Sequence, residues 1–292
     1  MPARIVKEND LILLILDERR RWLLQARKDE EFHTHRGIVH FNDIIGKPYG
    51  TVVFSRPLET QGYKFYVLEP LPSDLAVLLR RKTQIIYPED AGLIIVYSGI
   101  SPGSNIIEAG CGSGALTCLL ANQVRPNGHV YSYDVKEKNI KRARKNVEKA
   151  KLDEFVTIQK ANIIEEDLDL EPENVDAIIL DMPQPWLAIK QVKKYLKLSG
   201  VLASFSPTIE QVKKTTFALE DCDFCDIKTY ELLKRTYQVK QNATRPHMRM
   251  IGHTGYITFG RKIKQEENIY RSKKPLESEK FSMSGMPKID GN

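Results

Sequence analysis

The sequence is poor in cysteine, and this scarcity excludes two classes of protein. Only four cysteines occur among 292 residues, too few for the disulfide framework of a small secreted domain. Cys222 and Cys225 form one C-x-x-C pair, but a zinc site needs further ligands at a suitable spacing, and none accompany the pair. We therefore expect no bound metal, and either ordinary thiols or one local disulfide.

Targeting segments, long apolar runs and a large net charge are also missing. No N-terminal stretch combines a basic start, an apolar run and a small-residue cleavage site, and no apolar run approaches membrane-spanning length. The 44 Lys and Arg nearly balance 38 Asp and Glu, so the formal charge of +6 indicates little about a polyanionic partner. These absences lead us to expect a cytosolic protein without a membrane partner.

Positive charge is nevertheless concentrated near the end of the chain. Residues 232–264 contain eight Lys and Arg and no Asp or Glu. Such a run either contacts a polyanion or forms a solvated basic face, and the charges alone do not distinguish the two.

The spacing of apolar and turn residues divides the chain into three parts. Residues 1–70 contain short β segments separated by turns, which predicts a small, mostly antiparallel β domain. Residues 71–263 alternate strand patterns with amphipathic helix patterns, as parallel sheets built from βαβ units do. Residues 264–292 are polar and are predicted to be a disordered tail.

Several element boundaries follow from the same patterns. Ser73 and Asp74 are predicted to cap a short helix after the Pro70-Leu71-Pro72 boundary. A longer amphipathic helix is predicted over Lys136–Lys149. The predicted strands are Leu11–Leu16, Arg21–Ala26, Ile38–Phe41, Thr51–Ser55, Lys64–Leu68, Asn105–Ala109, His129–Tyr133, Val156–Lys160, Ala177–Leu180, Val201–Ser204, Ile227–Leu232 and Tyr256–Phe259.

A glycine-rich turn follows the first strand of the second part. Gly110, Gly112 and Gly114 stand between an apolar strand and a helical run. Glycine lets the backbone approach a ligand closely, and the start of the next helix presents free N–H groups. Because NAD sites use a similar turn, the glycines alone predict only a nucleotide-like cofactor.

Residues at the ends of the neighbouring strands narrow the choice of cofactor. Asp134 ends the next strand, where a carboxylate can accept both hydrogen bonds of a ribose diol. The G-x-G-x-G spacing, with Glu108 two residues before the first glycine, favours S-adenosylmethionine over NAD. Ala161 and Asn162 end the third strand, where Asn162 either faces the adenine amine or simply forms a turn. The predicted fold is α/β, a Rossmann-like S-adenosylmethionine-dependent methyltransferase domain preceded by the small β domain.

A carboxylate at the end of the fourth strand points to the reaction. Asp181 follows four apolar residues, and burying an Asp there is costly unless it has a function. Pro183 and Pro185 stiffen the loop, as at the corresponding position of base-amine methyltransferases. Asp181 would accept a hydrogen bond from the N6 amine of adenine and so orient N1. Trp186 either stacks on a base or caps the next helix.

Together with segments outside these motifs, the chain resembles the TrmI family of tRNA (adenine-N1)-methyltransferases over roughly residues 5–262. The matching segments are Glu31 to Gly37, Asp43 to Lys47, Thr83 to Pro88, Arg245-Pro246, Arg249-Met250 and Gly252 to Gly255. The resemblance implies S-adenosylmethionine as methyl donor, tRNA as partner and a homotetramer. It also implies methylation of the T-loop adenosine at position 58, and in archaeal members of position 57 as well.

The resemblance further implies which residues form the site. Asp181 would touch the target base, and Tyr87 would be a second contact in the active site. His33, His35, His247 and His253 have no metal-ligand spacing and would pack or contact RNA. The cofactor pocket would be lined by Ile86, Glu108, Gly110, Gly112, Ser113, Gly114, Ala115, Leu116, Asp134, Ala161, Asn162 and Asp181.

Two other functions stay open. A methyltransferase acting on protein or a small molecule would share the glycine turn and Asp134, yet would need neither the Asp181 loop nor the basic stretch. A non-catalytic tRNA-binding subunit would need neither the glycines nor Asp134, so their presence disfavours it.

Overall fold

The computed structural model of the protein describes residues 3–57, 62–79 and 84–264. The predicted tail beyond Lys264 and Thr83, which begins one of the segments that carry the resemblance, lie outside these residues. None of the helices within them is long and apolar enough to cross a membrane.

The first part of the chain is an antiparallel β domain. Its strands are β1 (Leu11–Ile15), β2 (Arg21–Gln25), β3 (Glu31–Thr34), β4 (Gly37–His40), β5 (Val52–Phe54) and β6 (Lys64–Leu68). Four of them form a sheet in the order β2-β1-β6-β5, and β3 and β4 form a separate hairpin. Alternate residues such as Ile12, Leu14 and Phe65 point into one apolar cluster. The prediction missed β3, because its half-exposed sequence EFHT carries no clear apolar alternation.

The second part alternates helices and strands. In chain order it contains α1 (Pro72–Leu78), α2 (Pro88–Tyr97), β7 (Asn105–Ala109), α3 (Ala115–Val124), β8 (His129–Asp134), α4 (Glu137–Lys149), β9 (Val156–Lys160), β10 (Val175–Leu180), α5 (Pro185–Val192), β11 (Leu196–Ser206), α6 (Ile209–Asp221), β12 (Phe224–Glu231), β13 (Tyr237–Gln238), β14 (Arg245–Pro246) and β15 (Tyr256–Lys262).

A seven-stranded sheet forms the centre of this part, in the order β12-β15-β11-β10-β7-β8-β9. The strands from β7 to β11 pair in parallel, whereas β15 is antiparallel to both of its neighbours. Neighbouring residues of each central strand point to opposite faces, so Ile106 packs into one apolar cluster and Ile107 into the other. The fold is therefore the predicted Rossmann-like α/β domain.

The cap of α1 differs from the prediction. The helix begins at Pro72, and the carboxylate of Asp74 accepts a hydrogen bond from the backbone N–H of Leu71 at 2.9 Å. Proline has no N–H to satisfy and suits the first helical position, so the cap lies two residues earlier than Ser73 would have placed it.

The small domain is fixed to the end of α4. Lys151, just after the helix, forms an ion pair with the buried carboxylate of Asp10 at 2.8 Å. The ammonium of Lys149 lies 3.5 Å from the carbonyl oxygen of Leu23, whose side chain joins the larger apolar cluster of the second part. The two parts thus share packing beside this helix.

Candidate active site

A cavity of about 330 Å³ opens where β7, β8, β9 and β10 end. This edge of an open parallel sheet is where ligands bind, and the volume lies at the lower end of the range for cofactor sites, roughly 300–1,000 Å³. The cavity is lined by Gln84, Ala109, Gly110, Gly112, Tyr133, Asp134, Val135, Lys136, Asn139, Ala161, Asn162, Ile163, Asp181, Met182 and Pro183.

The glycine turn and the Asp181 loop are in direct backbone contact. Gly110 has a φ of +94°, and a Cβ on it would lie only 1.9 Å from the carbonyl oxygen of Asp181. In return, the backbone N–H of Asp181 donates to the carbonyl of Ala109 at 2.8 Å. Since no side chain fits between them, only glycine allows this approach.

Asp134 is held by donors from the glycine turn and from α4. Its Oδ2 accepts hydrogen bonds from the backbone N–H of Gly112 at 3.1 Å and from Nδ2 of Asn139 at 3.0 Å. Its Oδ1 accepts one from the N–H of Lys136 at 2.8 Å. These bonds fix the orientation of the carboxylate at the cavity wall.

The carboxylate of Asp181 has a different environment. Among the described residues, no group donates a hydrogen bond to it, although it borders the cavity. Burial, and secondly the negative charge of Asp134, raise the pKa of Asp181 to about 7. This acceptor is therefore open to a ligand that carries a donor.

Glu108 lies behind the cavity wall. It is fully buried, and its Oε2 accepts hydrogen bonds from Thr117 at 2.6 Å and from Ser132 at 2.5 Å. Its Oε1 has no partner among the described residues, and burial raises the pKa of Glu108 to about 7. The side chain supports β8 and α3 from beneath the site.

Asn162 forms a turn at the edge of the cavity. It borders the cavity together with Ala161, and its Oδ1 also accepts a hydrogen bond from the backbone N–H of Ile164 at 3.3 Å. The turn interpretation is therefore observed, and the contact of Asn162 with the adenine amine stays a prediction.

The predicted residues Ile86, Tyr87, Ser113, Gly114, Ala115 and Leu116 are not among the residues that line the cavity. Ile86 packs in the larger apolar cluster, and Tyr87 directly precedes α2. A Cβ on Gly114 would lie 2.9 Å from the Cα of Ala143, so this glycine serves the packing of α3 on α4. Glu108 does not line the cavity either. The assignment of Tyr87 as an active-site contact, and of Glu108 and the other five residues as cofactor contacts, stays a prediction.

Nine lining residues were not among the predicted site residues: Gln84, Ala109, Tyr133, Val135, Lys136, Asn139, Ile163, Met182 and Pro183. Three of them follow Asp134, and Met182 and Pro183 follow Asp181, so extending each strand end into the next turn would have found most of them. Gln84 lies in one of the segments that carry the resemblance but was not assigned to the site, because the chain before α2 reaches the cavity only in the folded structure.

The Asp181 loop is held from its far side by α6. Nε2 of Gln211 donates to the carbonyl of Pro183 at 2.9 Å. The ammonium of Lys214 lies 4.8 Å from the ring centroid of Trp186, a cation–π distance. One face of Trp186 therefore already has a partner within the chain.

The basic stretch is divided between structural and free cations. Lys234 forms an ion pair with Glu89 of α2, and Lys262 pairs with Glu173 at 3.1 Å. By contrast, the side chains of Arg245 and Arg249 have no hydrogen bond or ion pair among the described residues. The four cysteines are free thiols, and the described residues contain no cluster of His, Cys, Asp and Glu able to hold a metal ion.

Comparison with protein families gives two matches that together span most of the chain. Residues 63–245 match the family described as the tRNA methyltransferase complex GCD14 subunit. Residues 10–53 match the family described as TrmI-like N-terminal.

Two relatives have named activities. The chain is 38% identical over 273 residues to the tRNA (adenine(57)-N(1)/adenine(58)-N(1))-methyltransferase TrmI of Methanocaldococcus jannaschii, covering 85% of this chain and 94% of the relative. It is 31% identical to the tRNA (adenine(58)-N(1))-methyltransferase catalytic subunit of Dictyostelium discoideum, covering 82% of this chain and 77% of the relative.

Solved structures agree in fold. The Aquifex aeolicus tRNA (m1A58) methyltransferase TrmI superposes with a TM-score of 0.76 at 28% identity, covering 90% of this chain and all of that one. A Thermotoga maritima protein described as a SAM-dependent O-methyltransferase superposes with a TM-score of 0.81 at 34% identity, covering 90% of this chain and 97% of that one.

The environment of Asp181 generates a prediction about its titration. With Asp residues labelled at the carboxyl carbon, NMR should show one resonance that titrates near pH 7 and disappears in Asp181→Asn. Asp134→Asn should lower that pKa, because it removes the nearby negative charge. Between about pH 4 and about pH 7, the Asp181 carboxyl keeps its proton in the folded state and has lost it in the unfolded chain. The free energy of unfolding should therefore fall as pH rises through this window.

Relative to the wild type, Asp181→Asn should therefore gain stability across that window in urea unfolding. Titration of every Asp below pH 5 would contradict the environment described for Asp181.

Proposed function

The chain belongs to the TrmI and GCD14 family of tRNA methyltransferases, and from that membership and its cavity we infer that it methylates N1 of an adenine in tRNA, using S-adenosylmethionine. The target is position 58 of the T-loop. Position 57 is a second candidate target, because the Methanocaldococcus relative carries both positions in its name. The observation that carries the proposal is the free Asp181 carboxylate beside the glycine turn.

The residues around the cavity fit this cofactor. Gly110 has no room for a Cβ, and Gly112 places its backbone against the wall beside Asp134. The Asp134 carboxylate is suited to the ribose hydroxyls and Asn162 to the adenine amine. The cationic sulfonium centre, which supplies an activated methyl group when bound, is favoured by the neighbouring Asp134 and Asp181 carboxylates. We propose Gly110, Gly112, Asp134, Asn162 and Asp181 as cofactor contacts.

Asp181 is the proposed catalytic residue. Adenine N1 already carries a lone pair at neutral pH, so the enzyme needs no strong base to expose it. By accepting a hydrogen bond from the N6 amine, Asp181 would orient N1 and stabilise the positive charge that develops on the ring. The burial that raises its pKa also strengthens that interaction, because water screens charges poorly there.

A non-catalytic role and a different acceptor are less well supported. A subunit that only bound tRNA would not need a glycine turn packed on the backbone of an Asp whose carboxylate faces a cavity without a partner. The Thermotoga relative is described as an O-methyltransferase, so an oxygen acceptor such as a ribose hydroxyl is the alternative that an assay has to exclude.

A first test concerns the cofactor. Asp134→Ala should weaken binding of S-adenosylmethionine by about 10- to 100-fold, because a charge-assisted hydrogen bond of this kind contributes about 1.5–3 kcal/mol. Calorimetry measures the affinity, and circular dichroism checks that the fold persists. The exposed Asp169→Ala serves as the control. An unchanged affinity in Asp134→Ala would remove this carboxylate from the cofactor site.

A second test concerns the reaction. Asp181→Ala should lower turnover by about 100- to 1000-fold at saturating S-adenosylmethionine, the usual loss for a group that orients and stabilises the transition state. The treated tRNA is digested to nucleosides and the methylated product is identified by mass spectrometry. With wild-type enzyme the product should be 1-methyladenosine in the T-loop.

Other products would contradict specific parts of the proposal. N6-methyladenosine would mean that the amine is the nucleophile, and a 2′-O-methyl nucleoside would support oxygen transfer. Turnover near that of the wild type in Asp181→Ala would remove Asp181 from the chemistry.

We also propose that the protein assembles as a homotetramer that binds tRNA in the cytosol. In support, β12 lies at the edge of the large sheet, where backbone groups invite pairing. The segment that follows it exposes apolar side chains, including Leu233, Val239 and Met248, of which Met248 is 90% exposed. Exposed apolar residues in one segment are typical of an interface. Arg245 and Arg249 on the same segment would contact RNA.

Assembly can be measured directly. Sedimentation velocity at micromolar concentration should give a species of four chains of 33.5 kDa each. Val239→Lys with Met248→Lys should shift it toward smaller species, whereas the exposed Phe54→Lys in the small domain should not. A wild-type monomer at all concentrations would reject the tetramer.

A further inference from the structure

Helix α4 is unusually basic and begins at the cavity. Six of its thirteen residues are Lys or Arg, against two Glu. Its first turn contributes Asn139 to the cavity wall, and Lys136, directly before the helix, also borders the cavity. Neither the cofactor site nor the basic stretch at residues 232–264 accounts for the other cations of this helix.

These cations are not spread evenly around the helix. At 3.6 residues per turn, positions i, i+4, i+7 and i+11 lie on one side of a helix. In α4 these positions hold only cations, and we call them the cationic flank: Lys138, Arg142, Lys145 and Lys149.

The opposite flank has a mixed composition. There Lys141 lies 4.0 Å from Glu137, and Arg144 donates to the carbonyl of Ile158 at 2.7 Å. Glu148 also lies on this side. Positive charge on that flank is thus neutralised or used within the fold, and the excess belongs to the cationic flank.

The cations nearest the cavity are available to a partner. Lys138 and Lys145 are exposed and Arg142 is half-buried. Among the described residues, none of these three has an ion pair or a hydrogen bond. Holding like charges along one side of a helix without acidic partners costs stability, which an anionic ligand would offset.

The cationic flank connects two places in the fold. Its upper end, Lys138, directly precedes Asn139 of the cavity wall in the chain. Its lower end enters a groove of about 860 Å³ between α4 and the small domain. Lys145 and Lys149 line that groove opposite Arg27 and Phe32. The acids Glu30, Glu31 and Glu148 also line it, so the formal charges of the groove balance. Glu30 pairs with Arg27, and the helix side of the groove has two cations against one acid.

We propose that the cationic flank binds successive phosphates of the tRNA segment next to the methylated nucleotide, and leads that strand from the cavity toward the small domain. The proposal rests on the proposed function. A rise of 1.5 Å per residue spreads the four cations over about 16 Å, with steps of about 5–6 Å that suit one phosphate per nucleotide of a single strand. Phosphate contacts position RNA without reading its sequence, as a tRNA enzyme with many substrates requires.

The test compares two double variants that remove the same charge. Lys138→Gln with Lys145→Gln alters the cationic flank. Lys141→Gln with Lys190→Gln alters the opposite flank and the exposed side of α5. Affinity for an unmodified tRNA transcript is measured at several salt concentrations with each full-length protein, and calorimetry gives the affinity for S-adenosylmethionine.

The flank variant should bind tRNA about tenfold or more weakly near 0.1 M salt. Its slope of log affinity against log salt should fall by roughly 1.4–1.8, since each lost phosphate contact removes about 0.7–0.9. The matched control should keep the wild-type slope, and cofactor affinity should be unchanged in both, because neither Lys138 nor Lys145 borders the cavity.

If the two double variants weaken tRNA binding equally, only net charge matters and the proposal is overturned. It is also overturned if the flank variant binds tRNA with the affinity and salt dependence of the wild type. If the wild-type protein neither binds nor methylates tRNA, the proposed function itself fails. Methylation by the wild type together with unaltered binding in the flank variant rejects the cationic flank alone.

Discussion

The backbone contact between Gly110 and Asp181 constrains the whole site. It brings the turn after β7 against the loop after β10, two segments some 70 residues apart in the chain. The two backbones are so close that no side chain fits between them. The contact requires β7 and β10 to be neighbours in parallel register, as Ala109 opposite Leu180 shows. The proposed cofactor contacts and the proposed catalytic carboxylate therefore cannot move independently, which is the preorganisation that methyl transfer in line with an acceptor demands.

The two cavity carboxylates differ in how they are satisfied. Among the described residues, Asp134 accepts three N–H hydrogen bonds and a weak one from the Cys111 thiol, whereas Asp181 accepts none and has a raised pKa. A carboxylate that the protein holds in place suits the proposed cofactor contact. A carboxylate without a partner suits the amine of the target base, which would bring its own donor. Their combined negative potential in a small cavity also favours a cationic ligand over a neutral one of the same shape.

Local patterns predicted much of this arrangement. The bounds of β6, β7 and β9 were correct, because each is a short apolar or alternating run between clear turn residues. Asp134, Asn162 and Asp181 were found because strand ends of a parallel sheet converge on one edge. Gln84 and the role of Asn139 depend on which segments the tertiary fold brings together, so no local pattern could reveal them. The charge count drew attention to residues 232–264, whereas the cations of α4 become conspicuous only once the helix separates them into two flanks.

Helix α4 connects the cavity to the cationic flank and to the small domain as one rigid element. Asn139 in its first turn donates to Asp134, and Asn146 donates to the carbonyl of Ser113 within the glycine turn at 2.8 Å. Beyond its end, Lys151 pairs with Asp10 of the small domain. A strand held on this helix would therefore be positioned against the cofactor turn by a rigid element. Because misplacement of about 1 Å can cost about 100-fold in rate, a helix anchored at both ends is a better support for the substrate than a loop.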